Sequence, residues 1–215
     1  MASEIIHLAV ANDVYRHLNY KSDKDKSDFL LGSIAPDVAK QVGLNKSVTH
    51  FSLLDGDLPN FSYFLDLYHD YLNNPFELGY YVHLLTDYLW YSEFTDNFFY
   101  NTMIRTKDNK IVKLTKDEFR NVIYNDYSSL NRNIIDEYNL NFDIFYNNYE
   151  YPISHIKECK QEYFKTMIDK LGYICTMTNN YLYVFDIDSV SIFIDYCKLY
   201  VLDNIKKLNI DKISN

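Results

Sequence analysis

Apolar side chains recur at helical spacing along most of this chain, and polar stretches separate the repeats. Residues 4–19 carry His7, Ala11, Val14 and Leu18 at intervals of four, three and four residues, which places them on one face of a helix. Glycine occurs 5 times and proline 4 times, too rarely for a β-sandwich with many tight turns. The pattern therefore predicts an all-α fold.

Capping residues indicate where further helices begin. Asn74, Pro75 and Glu77 form a typical helix start, and the helix that they open is expected to reach about Tyr100. A helix that follows Pro152 is expected to end at Gly172. Other helices are predicted to start at Ser27, Phe61, Thr115, and Asp188 or Ser189. Loops are expected at 21–28 and 139–151, a loop or short helix at 44–58, and a short strand or helical turn at 181–185.

No internal repeat or linker is evident, so residues 1–215 are predicted to form a single helical domain.

Composition and charge narrow the classes of function. Hydrophobic residues make up 47% of the chain and aromatic residues 17%, which indicates a folded core. The net charge of −9 and the spread of acidic residues disfavour binding to nucleic acid or to anionic lipid. The three cysteines lie too far apart for a Cys-x-x-Cys site and are interpreted as reduced core thiols. With no signal peptide and no apolar run of membrane-spanning length, a cytoplasmic location is expected.

The most informative polar residues are His83 and Asp87, four residues apart in the helix predicted from Pro75. That spacing points both side chains the same way, as in a helix that supplies two ligands to one metal ion. Their neighbours are apolar, so the pair is expected to be buried, where an ionised carboxylate needs a charged partner. A divalent cation would provide one, and a hydrogen-bonded pair without metal is the alternative.

Three further metal-competent side chains interrupt or adjoin apolar stretches upstream. His7 shares the apolar face of the first helix, and His50 precedes an aromatic residue. Asp37 follows Pro36, which is expected to end a helix and place the carboxylate on the next turn. Such interruptions within the first 87 residues predict one site assembled from separate elements.

These elements resemble a known family. A His in the first helix, a Gly-Ser-Ile-Ala-Pro-Asp turn, a His-Phe pair and a Gly-x-x-x-His-x-x-x-Asp helix, in this order and at these spacings, are similar to the zinc-dependent phospholipase C family. Its fold is shared with the S1/P1 nucleases, and the resemblance covers about residues 5–95. It implies a phospholipase C/P1 nuclease-like helical fold and metal-ligand roles for His7, Asp37, His50, His83 and Asp87.

The resemblance also implies a reaction, the hydrolysis of a phosphate ester by metal-activated water. Asp87 would bridge two ions, one shared with Asp37, His50 and His83, the other with His7. Asp37 is the implied general base, because this family uses the equivalent carboxylate near the attacking water. A set of three His and two Asp suits zinc and would also accept manganese, iron or nickel.

The ligands after the His83 helix depart from the family pattern. The family supplies a further His and then a His-x-x-x-Glu pair, whereas this chain has only His155 after His83, and Glu158 follows it by three residues. Glu93, six residues after Asp87, is the candidate replacement. The secreted phospholipases also use their processed N-terminal residue as a ligand, whereas six residues precede the first His here. One or two ions are therefore expected.

Two alternatives to this metal-dependent phosphoesterase stay open. A structural or regulatory member of the same fold could have lost catalysis together with the missing ligands. An HD-type phosphohydrolase would use His50, His69 and Asp70 instead. For the enzyme, the acidic net charge favours a small phosphate ester inside the cell as substrate, without nucleic acid and without stable membrane association.

Overall fold

The computed structural model describes residues 2–54, 56–177 and 181–210, and most of these residues are helical. The α-helices are α1 (Glu4–Tyr15), α2 (Asp23–Gly32), α3 (Lys46–His50), α4 (Phe61–Tyr68), α5 (Pro75–Leu89), α6 (Lys116–Glu137), α7 (Phe164–Thr176) and α8 (Ile187–Lys207). A 3-10 helix at Ala35–Val42 lies between α2 and α3. A turn of π-helix at Trp90–Phe94 extends α5. The prediction of a mainly helical protein is confirmed.

Two helices begin at capping residues other than the predicted ones. Ser22 caps α2 through a reciprocal capping box, so Ser27 lies inside the helix and much of the predicted loop at 21–28 is helical. Asp186 caps α8, ahead of Asp188 and Ser189, and its side chain accepts a hydrogen bond from the backbone N–H of the third helical residue. In both cases a Ser or Asp two to five residues earlier accepts a hydrogen bond from a free backbone N–H of the first turn.

Helix α5 begins at Pro75 as predicted, but Asn74 and Glu77 do not form the reciprocal side-chain hydrogen bonds of a capping box, the arrangement that their positions in the sequence predict. Asn74 makes no capping hydrogen bond with its side chain. Glu77 is buried, and its carboxylate accepts a hydrogen bond of 2.8 Å from the backbone N–H of His155. The Glu77 side chain therefore makes a hydrogen bond to a residue distant in sequence, although the local sequence pattern assigned this side chain to the helix cap.

The C-terminal half departs further from the predicted pattern. Helix α7 starts at Phe164, well after Pro152, and it contains Gly172 instead of ending there. Residues 181–185 form neither a strand nor a helix. The buried carboxylate of Asp126 accepts hydrogen bonds from three successive backbone N–H groups of that segment, at 2.7 to 2.9 Å. These bonds replace the ladder or helical bonds that the segment would otherwise need.

A small antiparallel sheet replaces the predicted end of the long helix. Its strands are β1 (Phe99–Tyr100), β2 (Met103–Arg105) and β3 (Ile111–Lys113), paired in the order β1-β2-β3. Asn101 and Asn109 adopt positive φ angles of 54° and 61° in the two turns, a conformation that asparagine tolerates better than most residues. The protein is thus mainly helical with one small sheet.

Helix α5 is the central element of the fold. All residues from Phe76 to Asp87 are buried, so the helix is covered on every side. Its closest neighbour is α2, because Gly32 and Gly79 let the two backbones approach. A Cβ atom added to Gly32 would overlap the carbonyl oxygen of Phe76, and one added to Gly79 would overlap that of Phe29.

None of the helices in the described part of the chain combines the length and the apolar character needed to cross a bilayer.

The close approach of α2 and α5 leads to a stability prediction. We expect Gly79→Ala to lower the free energy of unfolding by more than about 2 kcal/mol, because the new methyl group would force two backbones apart. Gly172→Ala is the matched control. The methyl group added there would meet only the exposed Tyr146 side chain, whose hydroxyl would lie 2.9 Å away. In addition, alanine is more favourable than glycine inside a helix by up to about 1 kcal/mol. Urea unfolding of both variants measures the difference, and equal effects would contradict the close-packing explanation.

Candidate metal centre

Helix α5 directs His83 and Asp87 to the same buried place, and both side chains are fully buried. His83 Nδ1 lies 2.8 Å from the carbonyl oxygen of Ser33, the residue directly after α2. Because a carbonyl oxygen only accepts hydrogen bonds, Nδ1 carries the proton. In the neutral ring Nε2 then presents a lone pair, and it lies 3.8 Å from Asp87 Oδ2.

His50 reaches the same place from α3. Its Nδ1 lies 3.1 Å from the carbonyl oxygen of Lys46, so this ring also carries its proton on Nδ1. Its Nε2 is then unprotonated and has a lone pair available for a metal ion. Two hydrogen bonds hold α3 in position: Thr49 Oγ1 donates to the Pro36 carbonyl at 2.7 Å, and the Tyr80 hydroxyl donates to the Thr49 carbonyl at 2.6 Å.

The residue after His50 adopts an unusual backbone conformation. Phe51 has a φ of 57°, which is rare for a bulky side chain, and it ends α3 directly after the imidazole. The ring of Phe51 is buried against the rings of Phe64 and Tyr80. Aromatic packing therefore holds the backbone in the shape that fixes the end of α3.

Asp37 lies in the first turn of the 3-10 helix, directly after Pro36, which occupies an initial position of that helix. Its side chain is buried, yet neither carboxylate oxygen has a hydrogen-bond partner among the described residues. Its Oδ1 lies 3.8 Å from both His50 Nε2 and His83 Nε2. An anionic group buried in this way needs compensation from a positive charge.

Asp37, His50, His83 and Asp87 together form what we call the four-residue group. Each offers one ligand atom, and these atoms all lie within 4.8 Å of one another. The two imidazole Nε2 atoms are only 3.1 Å apart, and His50 Nε2 is 3.3 Å from Asp87 Oδ2. Tetrahedral zinc with bonds of about 2.0–2.1 Å separates its ligand atoms by about 3.3 Å. Because the observed spacings are similar, the group could hold a metal ion.

His7 lies beside the four-residue group but faces the other oxygen of Asp87. Its ring stacks on that of His83 with centroids 3.8 Å apart, and its Nε2 lies 3.3 Å from Asp87 Oδ1. The other ring nitrogen of His7, Nδ1, has no hydrogen-bond partner among the described residues. The backbone N–H of Ala2 donates to the same Oδ1 at 3.1 Å. Asp87 thus divides its two oxygens between two sets of neighbours.

Lys46 is the charged residue that sequence reasoning missed. Its Nζ lies 2.7 Å from Asp87 Oδ2 and 4.0 Å from Asp37 Oδ1, and its side chain is only 17% exposed. The available signal was its spacing, because Lys46 precedes His50 by four residues in a short helix. Ala2 carried no such signal, since its contribution is a backbone atom.

The protonation states follow from burial and from Lys46. Burial lowers the pKa of His83 well below its ordinary value of 6.5 and also lowers the pKa of His50. Burial alone would raise the pKa of Asp87, but the ammonium group of Lys46 and the neighbouring imidazoles of His50 and His7 together outweigh burial, so the pKa lies well below the ordinary 3.8. At neutral pH both imidazoles are therefore neutral while Asp87 is charged, the states that metal binding requires.

The other candidate residues lie outside the four-residue group. Glu93, the candidate replacement for a missing ligand, is exposed on the π-helical turn and lies outside the four-residue group. The side chains of His69 and Asp70 are 52% and 97% exposed, and they pair with each other. His155 Nδ1 lies 3.0 Å from a carboxylate oxygen of the buried Glu77.

Compared with protein-family models, curated proteins and solved structures, the chain matches none of them.

The shifted histidines lead to a prediction about pH. In chelator-treated protein, we expect the free energy of unfolding to fall as pH decreases from 7 to 5. Below pH 6.5 the unfolded chain binds protons on His50 and His83 that the folded protein does not yet bind, which costs up to about 1.4 kcal/mol per pH unit for each group. The lowered pKa of Asp87 adds a further loss only below about pH 3.8.

Thermal unfolding at several pH values measures this dependence. His83→Gln should reduce the slope between pH 7 and 5, whereas His17→Gln, at an exposed position of the chain, should leave it unchanged. A melting temperature that stays constant from pH 7 to 5 would show that these imidazoles are not held neutral in the fold.

Proposed function

We propose that the protein is a metal-dependent phosphoesterase whose metal ligands are Asp37, His50, His83 and Asp87. The observation that carries this proposal is the meeting of two unprotonated Nε2 atoms and two carboxylates within 4.8 Å, in a buried place. Two lone pairs 3.1 Å apart repel each other unless a cation lies between them. The resemblance to the zinc-dependent phospholipase C family supports the reaction class, phosphate-ester hydrolysis.

The chain's own residues would have distinct roles in this reaction. A bound divalent cation would act as a Lewis acid on a phosphoryl oxygen and lower the pKa of water. Asp37 has two carboxylate oxygens without hydrogen-bond partners among the described residues, so it can accept a proton from a water molecule or orient it. Lys46 offers an ammonium group to a negatively charged oxygen of the substrate.

The nature of the donors bears on the metal. Two imidazole nitrogens and two carboxylates suit zinc and would also accept manganese, iron or nickel. A second ion is proposed between His7 and the Oδ1 atom of Asp87, which lie 3.3 Å apart. The substrate of this proposal remains a small phosphate ester.

Metal binding is the first property to test. We expect the purified protein to bind zinc or manganese, and His83→Gln or Asp87→Asn to weaken binding at least 100-fold, since each removes one of four ligands. At a metal concentration 100 times Kd, binding should stabilise the wild type by about 2.7 kcal/mol. His69→Ala is the control, because this exposed ring lies outside the four-residue group. Isothermal titration calorimetry and thermal unfolding measure both effects, and equal metal affinity in all the variants would contradict the site.

Activity is the second property to test. We expect the metal-loaded protein to hydrolyse bis(p-nitrophenyl) phosphate or p-nitrophenyl phosphate, with turnover lost on chelation. Asp37→Asn should lower kcat by about 100-fold to 10,000-fold, because the amide cannot accept a proton from water. Release of p-nitrophenolate measures the rate. A metal-loaded protein that is inert towards these esters and towards p-nitrophenyl phosphorylcholine would contradict the enzymatic proposal.

One observation favours a non-catalytic protein of the same fold. Lys46 already neutralises part of the charge of Asp87 at 2.7 Å, so the buried charges could stabilise one another without metal. In that case metal titration would give no heat and no change in melting temperature.

The HD-type alternative has less support, because His69 and Asp70 are exposed and lie outside the four-residue group that contains His50.

A further inference from the structure

A cavity of about 650 Å³ lies next to the four-residue group. Its walls come from the start of α1, from α3, and from α6 and α7. Ala2 and Lys46 line it, and both also contact Asp87, at 3.1 and 2.7 Å. The end of the cavity beside Ala2 and Lys46, which we call the inner end, therefore adjoins Asp87, one of the proposed metal ligands. The volume of the cavity is typical of a site for a small molecule.

The charged side chains that line this cavity are mainly basic, in a chain with 21 basic and 30 acidic residues. In the described part of the protein they are Lys40, Lys46, Arg120, Lys170 and Glu4. Lys170 pairs with Glu4, and Arg120 pairs with Asp117. Lys40 has no ion pair among the described residues, and Lys46 is the only one of these cations beside Asp87. Of the described residues, four cations and one carboxylate line the cavity, and a divalent cation at the proposed metal ligands would offset Asp37 and Asp87. The local charge would then favour an anionic ligand whose negative group lies beside Lys46.

Aromatic rings form much of the remaining wall. The described residues contribute Tyr91, Phe119, Tyr124, Tyr127 and Tyr173. The Nζ atom of Lys46 lies 5.6 Å from the centroid of the Tyr91 ring, so an aromatic surface begins beside the inner cation. Rings arranged in this way can pack against a flat or compact apolar group.

We infer that this cavity binds a phosphate ester whose alcohol part is an aromatic ring or a similarly compact apolar group. Lys46 contacts the phosphate at the inner end, and the aromatic wall holds the alcohol part. The inference rests on the proposed function for the phosphate chemistry and names the class of substrate. Binding in the cavity needs no turnover, so it can be tested separately from catalysis.

The experiment uses phenylphosphonate, a probe that cannot be hydrolysed as an ester, with the protein in the presence of zinc, which would offset the negative charge of Asp37 and Asp87. Titration calorimetry should show phenylphosphonate binding at least tenfold more tightly than methylphosphonate or inorganic phosphate, because only the first reaches the aromatic wall. Lys46→Gln should weaken phenylphosphonate at least tenfold while leaving the weak binding of uncharged phenol unchanged. Equal affinity for phenylphosphonate and methylphosphonate would overturn the inference.

A pair of variants on α6 tests the location without altering Lys46. Ser128 lines the cavity, so Ser128→Trp should fill it and weaken phenylphosphonate at least tenfold. Asn133 is exposed on the same helix and does not line the cavity, so Asn133→Trp should have no effect. Circular dichroism of both variants verifies their folding, and unchanged binding in folded Ser128→Trp would overturn the assignment. Specific binding without hydrolysis of any ester would uphold this ligand site and contradict only the proposed enzyme.

Discussion

The close approach of α2 and α5 at Gly32 and Gly79 is the constraint on which the site depends. Because neither glycine has a Cβ atom, the carbonyl of Ser33 comes within 2.8 Å of His83 Nδ1. That single bond fixes the orientation and the tautomer of the imidazole. It also places the turn that carries Asp37 directly after the contact, so that its carboxylate faces the same ring. A larger residue at either glycine would separate the ligands as well as the helices.

Around this contact the fold buries an unusual amount of charge. Asp37 and Asp87 lie in the core with two neutral imidazoles, and Lys46 is the cation that offsets them. Buried charges cost several kcal/mol each unless other charges or hydrogen bonds compensate. Two carboxylates with one lysine leave a negative balance, which a divalent cation would reverse. The same lysine faces the neighbouring cavity, so one residue links the proposed metal centre to the proposed ligand site.

The sequence could predict the members of the site because each breaks an apolar pattern. His83 and Asp87 share a helical face, and the ligand set came from their spacing together with the family resemblance. Lys46 escaped notice because a lysine near a loop is ordinarily exposed to solvent. Glu93 was a candidate only by its position six residues after Asp87, and it lies exposed on the π-helical turn after Leu89, outside the four-residue group.

The sequence by itself determined the mainly helical class, the start of α5 at Pro75, the capped start of α6 at Thr115, and the residue types available for metal chemistry. Periodicity and capping act within a few residues, so they can be read along the chain. Only the tertiary structure decided which oxygen of Asp87 faces His7 and which faces His50. It also decided that Glu77 accepts a hydrogen bond from the backbone of His155 instead of capping α5. Such contacts join residues more than 30 positions apart, and their geometry depends on how the helices pack.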